Sequence, residues 1–277
     1  MIYKTEAGRR DIQARYTEYL DRWPVPAERH TAATREGDTF VLASGPPDAP
    51  PLVLLHGSGS NAAMWAGDVA AWSEHFRVLA VDVVGEPGRS AQSRPPLDTL
   101  APWLDDVIDH FGLDAAAFVG ASLGGWLATD YASTRPHRVS ALGLLCPGGI
   151  GRQKVGFLVK ALLYKPFGSW GAHRSIKAAT GVDTPEVADY LVAIFRQFRP
   201  RYDRLPIFSD AALAALTMPV LAIVGARDAM LDSRGTAERL RRAVPHATVT
   251  VLPEVGHAVL GQTGPVLDFL RSAAAAR

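Results

Sequence analysis

One serine of the sequence lies between two glycines at a point where an apolar segment changes character. The segment 118–126 reads Phe-Val-Gly-Ala-Ser-Leu-Gly-Gly-Trp and contains the spacing G-x-S-x-G. The residues before Ser122 predict a strand, and those after it continue with helical spacing. Such a sharp turn crowds its neighbours, and Gly120 and Gly124 relieve that crowding. A serine that only capped the helix would need neither glycine. The pattern therefore favours an exposed hydroxyl that can act as a nucleophile.

A serine hydroxyl needs a general base before it can attack, and the base needs a carboxylate that orients it. Of the eight histidines, His257 follows the last predicted strand at its carboxyl end. His56 also follows a strand, but it opens a glycine-rich turn. Five others lie before or between predicted elements, where surface and packing roles are expected, and His173 lies in a long connection between strands, where its position predicts no role. We therefore predict that His257 is the base.

Two loops compete to supply the carboxylate. The loop after the strand ending at Val224 reads Gly-Ala-Arg-Asp and supplies Asp228. The loop after the strand ending at Leu145 reads Cys-Pro-Gly and offers no carboxylate. Asp228 is therefore the predicted acid, and Asp232 is the alternative. If Asp228 were only a surface-turn residue, nothing would control the tautomer of the imidazole or stabilise its charged form.

The attack of a serine on a carbonyl produces an oxyanion, which needs N–H donors aimed at it. The backbone N–H that follows the nucleophile, at Leu123, supplies one donor. The turn 56–60, His-Gly-Ser-Gly-Ser, supplies the other, because its glycines let the backbone approach a substrate closely. We assign this second donor to Ser58, with Gly57 and Gly59 as alternatives. A phosphate-binding loop is disfavoured, since neither G-x-G-x-x-G nor a P-loop lysine follows.

Continuous apolar segments predict the strands that position these residues. They lie at 52–55, 78–81, 117–119, 142–145, 220–224 and 249–252, and helical patterns separate most of them. Segments that are apolar on both faces are typical of strands covered by helices on both sides. The alternation predicts an α/β fold with a mostly parallel central sheet and helices on both faces. Upstream, a helix is predicted at about 11–23 and a hairpin at 28–33 and 38–43.

One connection is too long for a simple link between strands. About seventy residues separate the fourth and fifth of these strands, whereas a compact link needs roughly ten to twenty. The excess contains two helical patterns, one at 157–164 and one beginning after Thr184. We predict a helical cap at 149–213 on an α/β core formed by 1–148 and 214–277. The cap would cover the carboxyl ends of the strands, where ligands bind in open parallel sheets.

The composition is that of an ordinary globular protein. Lys and Arg number 29 and Asp and Glu 28, a net charge of +1 that gives no electrostatic argument for nucleic acid or an anionic membrane as partner. No apolar segment approaches the ~20 residues of a membrane-spanning helix, and the N-terminal residues lack the apolar stretch of a signal peptide. The single cysteine, Cys146, cannot form an intrachain disulfide. We expect a cytoplasmic protein.

Taken together, these motifs resemble the α/β-hydrolase superfamily, and the resemblance covers nearly all of residues 28–270. The segment 82–90, Asp-Val-Val-Gly-Glu-Pro-Gly-Arg-Ser, looks like the family's D-x-x-G-x-G-x-S loop, with Glu-Pro before its second glycine. In the family, the residues corresponding to Asp82 and Ser90 are usually structural. The Trp-Pro-Val-Pro segment at 23–26 and the Gly-Glu-Pro-Gly turn look like a bacterial carboxylesterase subgroup with a helical cap.

The resemblance implies hydrolysis of a carboxylic ester by a Ser–His–Asp triad through an acyl-enzyme intermediate, with no metal or organic cofactor. A small-molecule ester is then the expected substrate. A serine at position 122, in the sharp turn between strand and helix, argues against haloalkane dehalogenases and epoxide hydrolases, which use aspartate there. Meta-cleavage-product hydrolases, which split C–C bonds in dienoic acids with the same triad, are the alternative enzyme. A non-catalytic receptor on the same fold is the alternative of another class.

Overall fold

The computed structural model describes residues 2–156, 163–201 and 203–276. Its first helix, α1 (Glu6–Asp21), begins five residues before the predicted start at about residue 11. The Thr5 hydroxyl accepts the N–H of Gly8 at 3.0 Å and caps the helix. The first turn of α1, Glu-Ala-Gly-Arg, has no large apolar side chain, so the apolar spacing that begins at Ile12 could not reveal it.

The predicted hairpin is confirmed and forms one edge of the sheet. Strands β1 (Ala27–Thr34) and β2 (Gly37–Ser44) pair antiparallel, with Thr34 opposite Gly37. Gly37 has a φ of 101°, a left-handed conformation that a side chain would oppose. The hairpin therefore closes at the glycine that marks the turn in the sequence.

Eight strands of the described chain form one sheet in the order β1-β2-β4-β3-β5-β6-β7-β8. The other strands are β3 (Pro51–Leu55), β4 (Arg77–Val81), β5 (Ala116–Ala121), β6 (Val139–Leu145), β7 (Val220–Gly225) and β8 (Thr248–Leu252). The hairpin joins β4 antiparallel, and all pairs from β4 to β8 are parallel. The predicted mostly parallel sheet is confirmed.

Helices cover both faces of the sheet, as predicted. The helices after α1 include α2 (Val69–Trp72), α3 (Leu100–His110), α4 (Leu123–Thr134), α5 (Gly168–Thr180), α6 (Pro185–Gln197), α7 (Asp210–Ala214), α8 (Ser233–Ala243) and α9 (Thr263–Ala275), of which α5 and α6 belong to the long connection between β6 and β7. Within β3, Val53 belongs to the same buried cluster as Leu127 of α4, whereas its neighbour Leu52 belongs to the cluster of Tyr16 in α1. Successive side chains of a strand point to opposite faces, so a strand that is covered on both sides, as β3 is, must be apolar throughout.

The segment between β6 and β7 contains α5, α6 and α7. Helix α6 begins at Pro185, directly after Thr184, as predicted. It buries Val192 and Ile194 and packs against α1 and α5. Most of the other predicted helical pattern in this segment falls on 157–162, outside the described residues. Nowhere in the described part of the chain is a helix both long enough and apolar enough to cross a membrane.

The parallel strands bring four loops to one edge of the sheet. The carboxyl ends of β3, β5, β7 and β8 lead into the loops that contain His56, Ser122, Asp228 and His257. These positions are far apart in the sequence, but parallel strands all end at the same edge. The fold therefore gathers the candidate residues into one place.

Candidate active site

Ser122 occupies the sharp turn between β5 and α4. Its φ is 50° and its ψ is −107°, a conformation that non-glycine residues rarely adopt and that costs about 1–3 kcal/mol. Hydrogen bonds hold it there, because its N–H donates to Leu145 O at 3.0 Å and its carbonyl accepts from Gly148 N at 3.1 Å and Trp126 N at 3.0 Å. The strain lifts the hydroxyl out of the strand and helix that flank it.

The two glycines around the serine are required by close backbone packing. A Cβ on Gly120 would collide with the carbonyl of Gly124, and a Cβ on Gly124 would collide with the carbonyl of Leu55 in β3. Both obstacles are backbone atoms, which cannot move aside as a flexible side chain could. The G-x-S-x-G spacing is thus explained by the contact between the turn and its neighbouring strand.

The three predicted residues meet in a hydrogen-bonded chain. His257 Nε2 lies 2.9 Å from Ser122 Oγ, and His257 Nδ1 lies 2.8 Å from Asp228 Oδ2. Only 3% of Asp228 and 8% of His257 is exposed to solvent. With a proton on Nδ1 that it donates to the carboxylate, the imidazole leaves Nε2 free to accept the serine proton.

The loop between β7 and α8, residues 226–232, which we call the acid loop, holds one oxygen of the Asp228 carboxylate. Asp228 Oδ1 accepts the backbone N–H groups of Met230 at 2.7 Å and Leu231 at 2.9 Å. The second oxygen is left to face the imidazole. The loop thereby orients the carboxylate before any substrate arrives.

The alternative acid, Asp232, is engaged elsewhere. Its Oδ1 accepts the N–H of Gly235 at 3.1 Å and caps the start of α8. The carboxylate bonded to His257 is that of Asp228. Within the described ranges, no group of three or more His, Cys, Asp or Glu side chains is placed to hold a metal ion.

The glycine-rich turn after β3 lies beside the serine. A Cβ on Gly57 would lie 3.4 Å from the Cβ of Ser122. The N–H of Gly59 donates to Glu86 Oε2 at 2.6 Å, which excludes Gly59 as the second oxyanion donor. No acceptor among the described residues takes the N–H of Ser58 or of Leu123. Both amides are therefore available to a substrate, and Gly57 remains the alternative to Ser58.

His56 braces this turn and does not take part in the hydrogen-bonded chain of the serine. Its Nδ1 donates to Gly57 O at 2.8 Å, and its Nε2 accepts the N–H of Val83 at 2.9 Å. The side chain is fully buried, and burial lowers the pKa of His56 to about 4. The neutral ring therefore fixes the Gly57 carbonyl, and the N–H of Ser58 belongs to the same planar peptide group.

The loop after β4 has a scaffolding role. Asp82 Oδ1 accepts from the Tyr16 hydroxyl and the Ala62 N–H, both at 2.8 Å, and Oδ2 accepts from Arg89 N at 2.7 Å. The Ser90 hydroxyl donates to Asp82 O at 2.6 Å. Burial raises the pKa of Asp82 to about 6. These contacts join α1, β4 and the loops around the site.

A sequence model of the "Alpha/beta hydrolase family" matches residues 52–269. The chain belongs to this family. Carboxylesterase YbfK of Bacillus subtilis (strain 168) is 33% identical over 267 residues, covering 91% of this chain and 88% of the relative. The crystal structure of carboxylesterase CesB (YbfK) from Bacillus subtilis has a TM-score of 0.83 at 30% identity, covering 97% of this chain and 98% of that chain. For naproxen esterase (carboxylesterase NP) from Bacillus subtilis, the TM-score is 0.81 at 28% identity, and 98% of each chain is covered. This α/β-hydrolase is therefore related to carboxylesterases.

The segment inserted between β6 and β7 contacts two loops of the site. One is the glycine-rich turn, and the other is the loop at 253–262 that contains His257, which we call the histidine loop. A Cβ on Gly59, which has a φ of 69°, would come within 2.6 Å of the ring of Phe195 in α6. At the end of α5, Thr180 O accepts the N–H of Ala258 at 2.7 Å. The helices of the insertion thus lie against two loops of the site.

Two further contacts join the insertion to the acid loop and to the elbow. Lys154 Nζ donates to the backbone carbonyl of Asp228 at 2.9 Å. Trp126 Nε1, in the first turn of α4, donates to Pro206 O at 3.0 Å. Neither contact was predicted from the sequence, because each joins residues that are distant along the chain and carry no shared motif.

Sequence reasoning also missed Glu86 as a residue of the site. Only 2% of it is exposed, and its Oε2 accepts from Gly59 N at 2.6 Å and Ser58 Oγ at 3.3 Å. Burial raises the pKa of Glu86 to about 7, against its hydrogen bonds and the charges of Arg94 and Arg201. The signal in the sequence was the Glu-Pro pair between the two glycines of the loop at 82–90, where the D-x-x-G-x-G-x-S pattern has a single residue.

The raised pKa of Glu86 predicts a measurable pH dependence of stability. Between about pH 4.5 and 7 the unfolded chain loses the proton that the native state retains, so stability falls as pH rises. The full loss is about 3 kcal/mol for a shift of roughly two and a half units. Glu86→Gln removes this slope. In thermal unfolding, the melting temperature of the variant relative to that of the wild type should be higher at pH 8 than at pH 4.5. Glu74→Gln, which alters an exposed carboxyl, is the control, and an equal pH response in wild type and Glu86→Gln would contradict the prediction.

Proposed function

We propose that this α/β-hydrolase hydrolyses carboxylic esters, with Ser122, His257 and Asp228 as its catalytic triad. The observation that carries the proposal is the hydrogen-bonded chain from the strained serine through the imidazole to the buried carboxylate. Carboxylesterases among its relatives, aligned over most of the chain, support the ester as the substrate class.

In the first half of the reaction, Ser122 Oγ attacks the ester carbonyl while His257 Nε2 takes the serine proton. Asp228 stabilises the imidazolium that forms. The amides of Ser58 and Leu123 bind the oxyanion of the tetrahedral intermediate, and losing one such donor typically costs about 3 kcal/mol. The intermediate then expels the alcohol, which receives the proton from His257. An acyl group remains on Ser122.

In the second half, water takes the place of the alcohol. His257 Nε2 accepts a proton from the water as its oxygen attacks the acyl carbon. The same two amides bind the second oxyanion. Collapse of this intermediate returns the proton to Ser122 Oγ and releases the carboxylic acid. Every proton transfer in this cycle passes through His257 Nε2.

We propose that residues 149–213 form a helical cap over an α/β core made of 1–148 and 214–277. The contacts of Phe195 with the glycine-rich turn and of Thr180 with the histidine loop support this division. A cap in this position would exclude bulk water from the reacting carbonyl and would shape the space for the acyl or aryl group.

The alternatives use the same site in different ways. A meta-cleavage-product hydrolase would need the same triad but would act on a dienoic acid. A non-catalytic receptor would need a pocket, but it would not need a nucleophile, a base and an acid bonded in sequence. The hydrogen bonds that join Ser122, His257 and Asp228 favour an enzyme over a receptor. The carboxylesterase relatives favour esters over dienoic acids as substrates.

A substrate panel tests the proposal. We expect p-nitrophenyl acetate and butyrate to be hydrolysed with kcat/KM on the order of 10⁴ M⁻¹s⁻¹ or more. Dienoic acids of the meta-cleavage type should be turned over far more slowly. The release of p-nitrophenol and the loss of dienoate absorbance measure the two reactions. Faster cleavage of the dienoate would replace the proposal by C–C hydrolysis, and tight binding without turnover would favour the receptor.

A further inference from the structure

Glu86 is a buried carboxyl that takes no part in the proton transfers of the proposed reaction. It lies in the loop that follows β4, where its N–H donates to Val83 O at 3.1 Å and its carbonyl accepts from Gly88 N at 2.8 Å. The N–H of Gly85 donates to Ala91 O at 2.9 Å. These bonds fix the backbone at Glu86, so its side chain extends from a rigid support.

One oxygen of this side chain holds the glycine-rich turn. Glu86 Oε2 accepts both the N–H of Gly59 at 2.6 Å and the hydroxyl of Ser58 at 3.3 Å. Ser58 is the residue whose N–H we propose as an oxyanion donor. The carboxyl therefore fixes the peptide group after Ser58 and the side chain of Ser58 itself.

The peptide group on the other side of Ser58 is held by His56. Its Nδ1 donates to Gly57 O, which shares a planar group with the N–H of Ser58. Ser58 is thus fixed from both sides, by a ring before it and by a carboxyl after it. Donors of an oxyanion hole work because their position is set before the charge develops.

Retaining a carboxyl in this place works against the stability of the fold. Burial raises the pKa of Glu86 to about 7, and the charged groups that act on it are Arg94 and Arg201. Burial raises the pKa of Tyr3, and the charge of Glu86 adds to that rise. A buried ionisable group next to a candidate site is a reason to examine a functional role.

We propose that Glu86 is a positioning residue, which aims the Ser58 N–H at the oxyanion through its hydrogen bonds to Gly59 and Ser58. The inference rests on the proposed ester hydrolysis. The role depends on the acceptor oxygen and not on the negative charge, since a charge of that sign beside a developing oxyanion would oppose it. Since a single oxygen accepts both bonds, a carboxamide oxygen can replace it.

The test compares Glu86→Leu, which removes the acceptor, with Glu86→Gln, which keeps an acceptor and removes the charge. We expect Glu86→Leu to lower kcat for p-nitrophenyl butyrate by about tenfold or more, with little change in KM, because a displaced donor acts in the transition state. Glu86→Gln should keep most of the wild-type kcat, because it keeps the acceptor oxygen. The affinity for a trifluoromethyl ketone, whose adduct with the serine carries an oxyanion, should fall in parallel with kcat/KM. Asp68→Ala, which removes a half-buried carboxyl bonded to Thr263, is the matched control for general destabilisation.

Ser58→Ala gives a second test if Glu86→Leu does not fold. It keeps the backbone N–H and removes only the hydroxyl bonded to Glu86, so we expect a several-fold loss of kcat at unchanged KM. A wild-type rate in Glu86→Leu would overturn the inference, and so would a wild-type rate in Ser58→Ala if Glu86→Leu does not fold. Equal losses in Glu86→Leu and Glu86→Gln would overturn it as well, because the charge would then be responsible. Without ester hydrolysis by the wild type, the proposed function would fail first, and this role of Glu86 with it.

Discussion

Ser122→Ala is expected to lower kcat for p-nitrophenyl butyrate by at least about 10⁴-fold. The substitution removes the only oxygen that His257 Nε2 contacts at 2.9 Å among the described residues, and with it the acyl-enzyme route. The proposed oxyanion donors are backbone groups and remain, so some residual rate above that of water should survive. Initial rates of p-nitrophenol release, at enzyme concentrations high enough to detect the residual activity, measure the loss.

The matched control for this substitution is Ser133→Ala in α4, the helix that follows Ser122. Ser133 Oγ donates to Asp130 O at 2.9 Å and lies at the far end of α4 from the turn. Its loss should leave kcat unchanged. If Ser122→Ala retained more than about a tenth of wild-type activity, a serine nucleophile would be rejected, because removing the nucleophile of such a triad lowers kcat by several orders of magnitude.

Asp228→Asn is expected to lower kcat by about 10³–10⁴-fold while the fold persists. The N–H groups of Met230 and Leu231 donate to Oδ1, so the asparagine oxygen should keep that position. Its NH₂ group would then face His257 Nδ1 and force that nitrogen to accept. The remaining proton would move to Nε2, which could no longer accept the proton of Ser122.

Asp232→Asn is the matched control for the acid. Asp232 lies four residues further along the same loop and caps α8 through Gly235. Its substitution should cost stability of at most about 1 kcal/mol and leave kcat close to that of the wild type. A larger loss of kcat in Asp232→Asn than in Asp228→Asn would reverse the assignment of the acid.

The central strands of the sheet are predictable from the sequence because they are buried on both faces. Leu52 and Val53 enter different clusters on opposite sides of β3, so the strand has no polar position and is visible as an apolar segment. The start of α1 was missed for the converse reason. Its first turn is capped by Thr5 and has no large apolar side chain, which leaves no apolar spacing to detect.

The candidate site was predictable where a local pattern reflects local geometry. The glycines at 120 and 124 follow from the contact of the turn with β3, and the loops that contain Asp228 and His257 each follow a strand. Glu86 was missed because its role depends on a contact with Gly59, 27 residues away in the sequence. The contact of Lys154 with the acid loop is equally invisible without the fold.

The choice between Asp228 and Asp232 shows how sequence and structure divide the work. Position after a strand favours Asp228, but it does not exclude a carboxylate four residues later. The hydrogen bonds of the acid loop separate the two, since Asp228 faces the imidazole and Asp232 faces the start of a helix. The catalytic roles of these residues are proposals that the variants above test.

Trapping the acyl-enzyme tests the central claim most directly. Wild-type protein mixed with p-nitrophenyl acetate and quenched in acid within the first turnovers should carry one acetyl group. Peptide mapping by mass spectrometry should place that group on Ser122, and Ser122→Ala should remain unmodified. Rapid hydrolysis of the ester with no acetyl group on Ser122, under conditions in which deacylation limits the rate, would contradict nucleophilic catalysis by this serine.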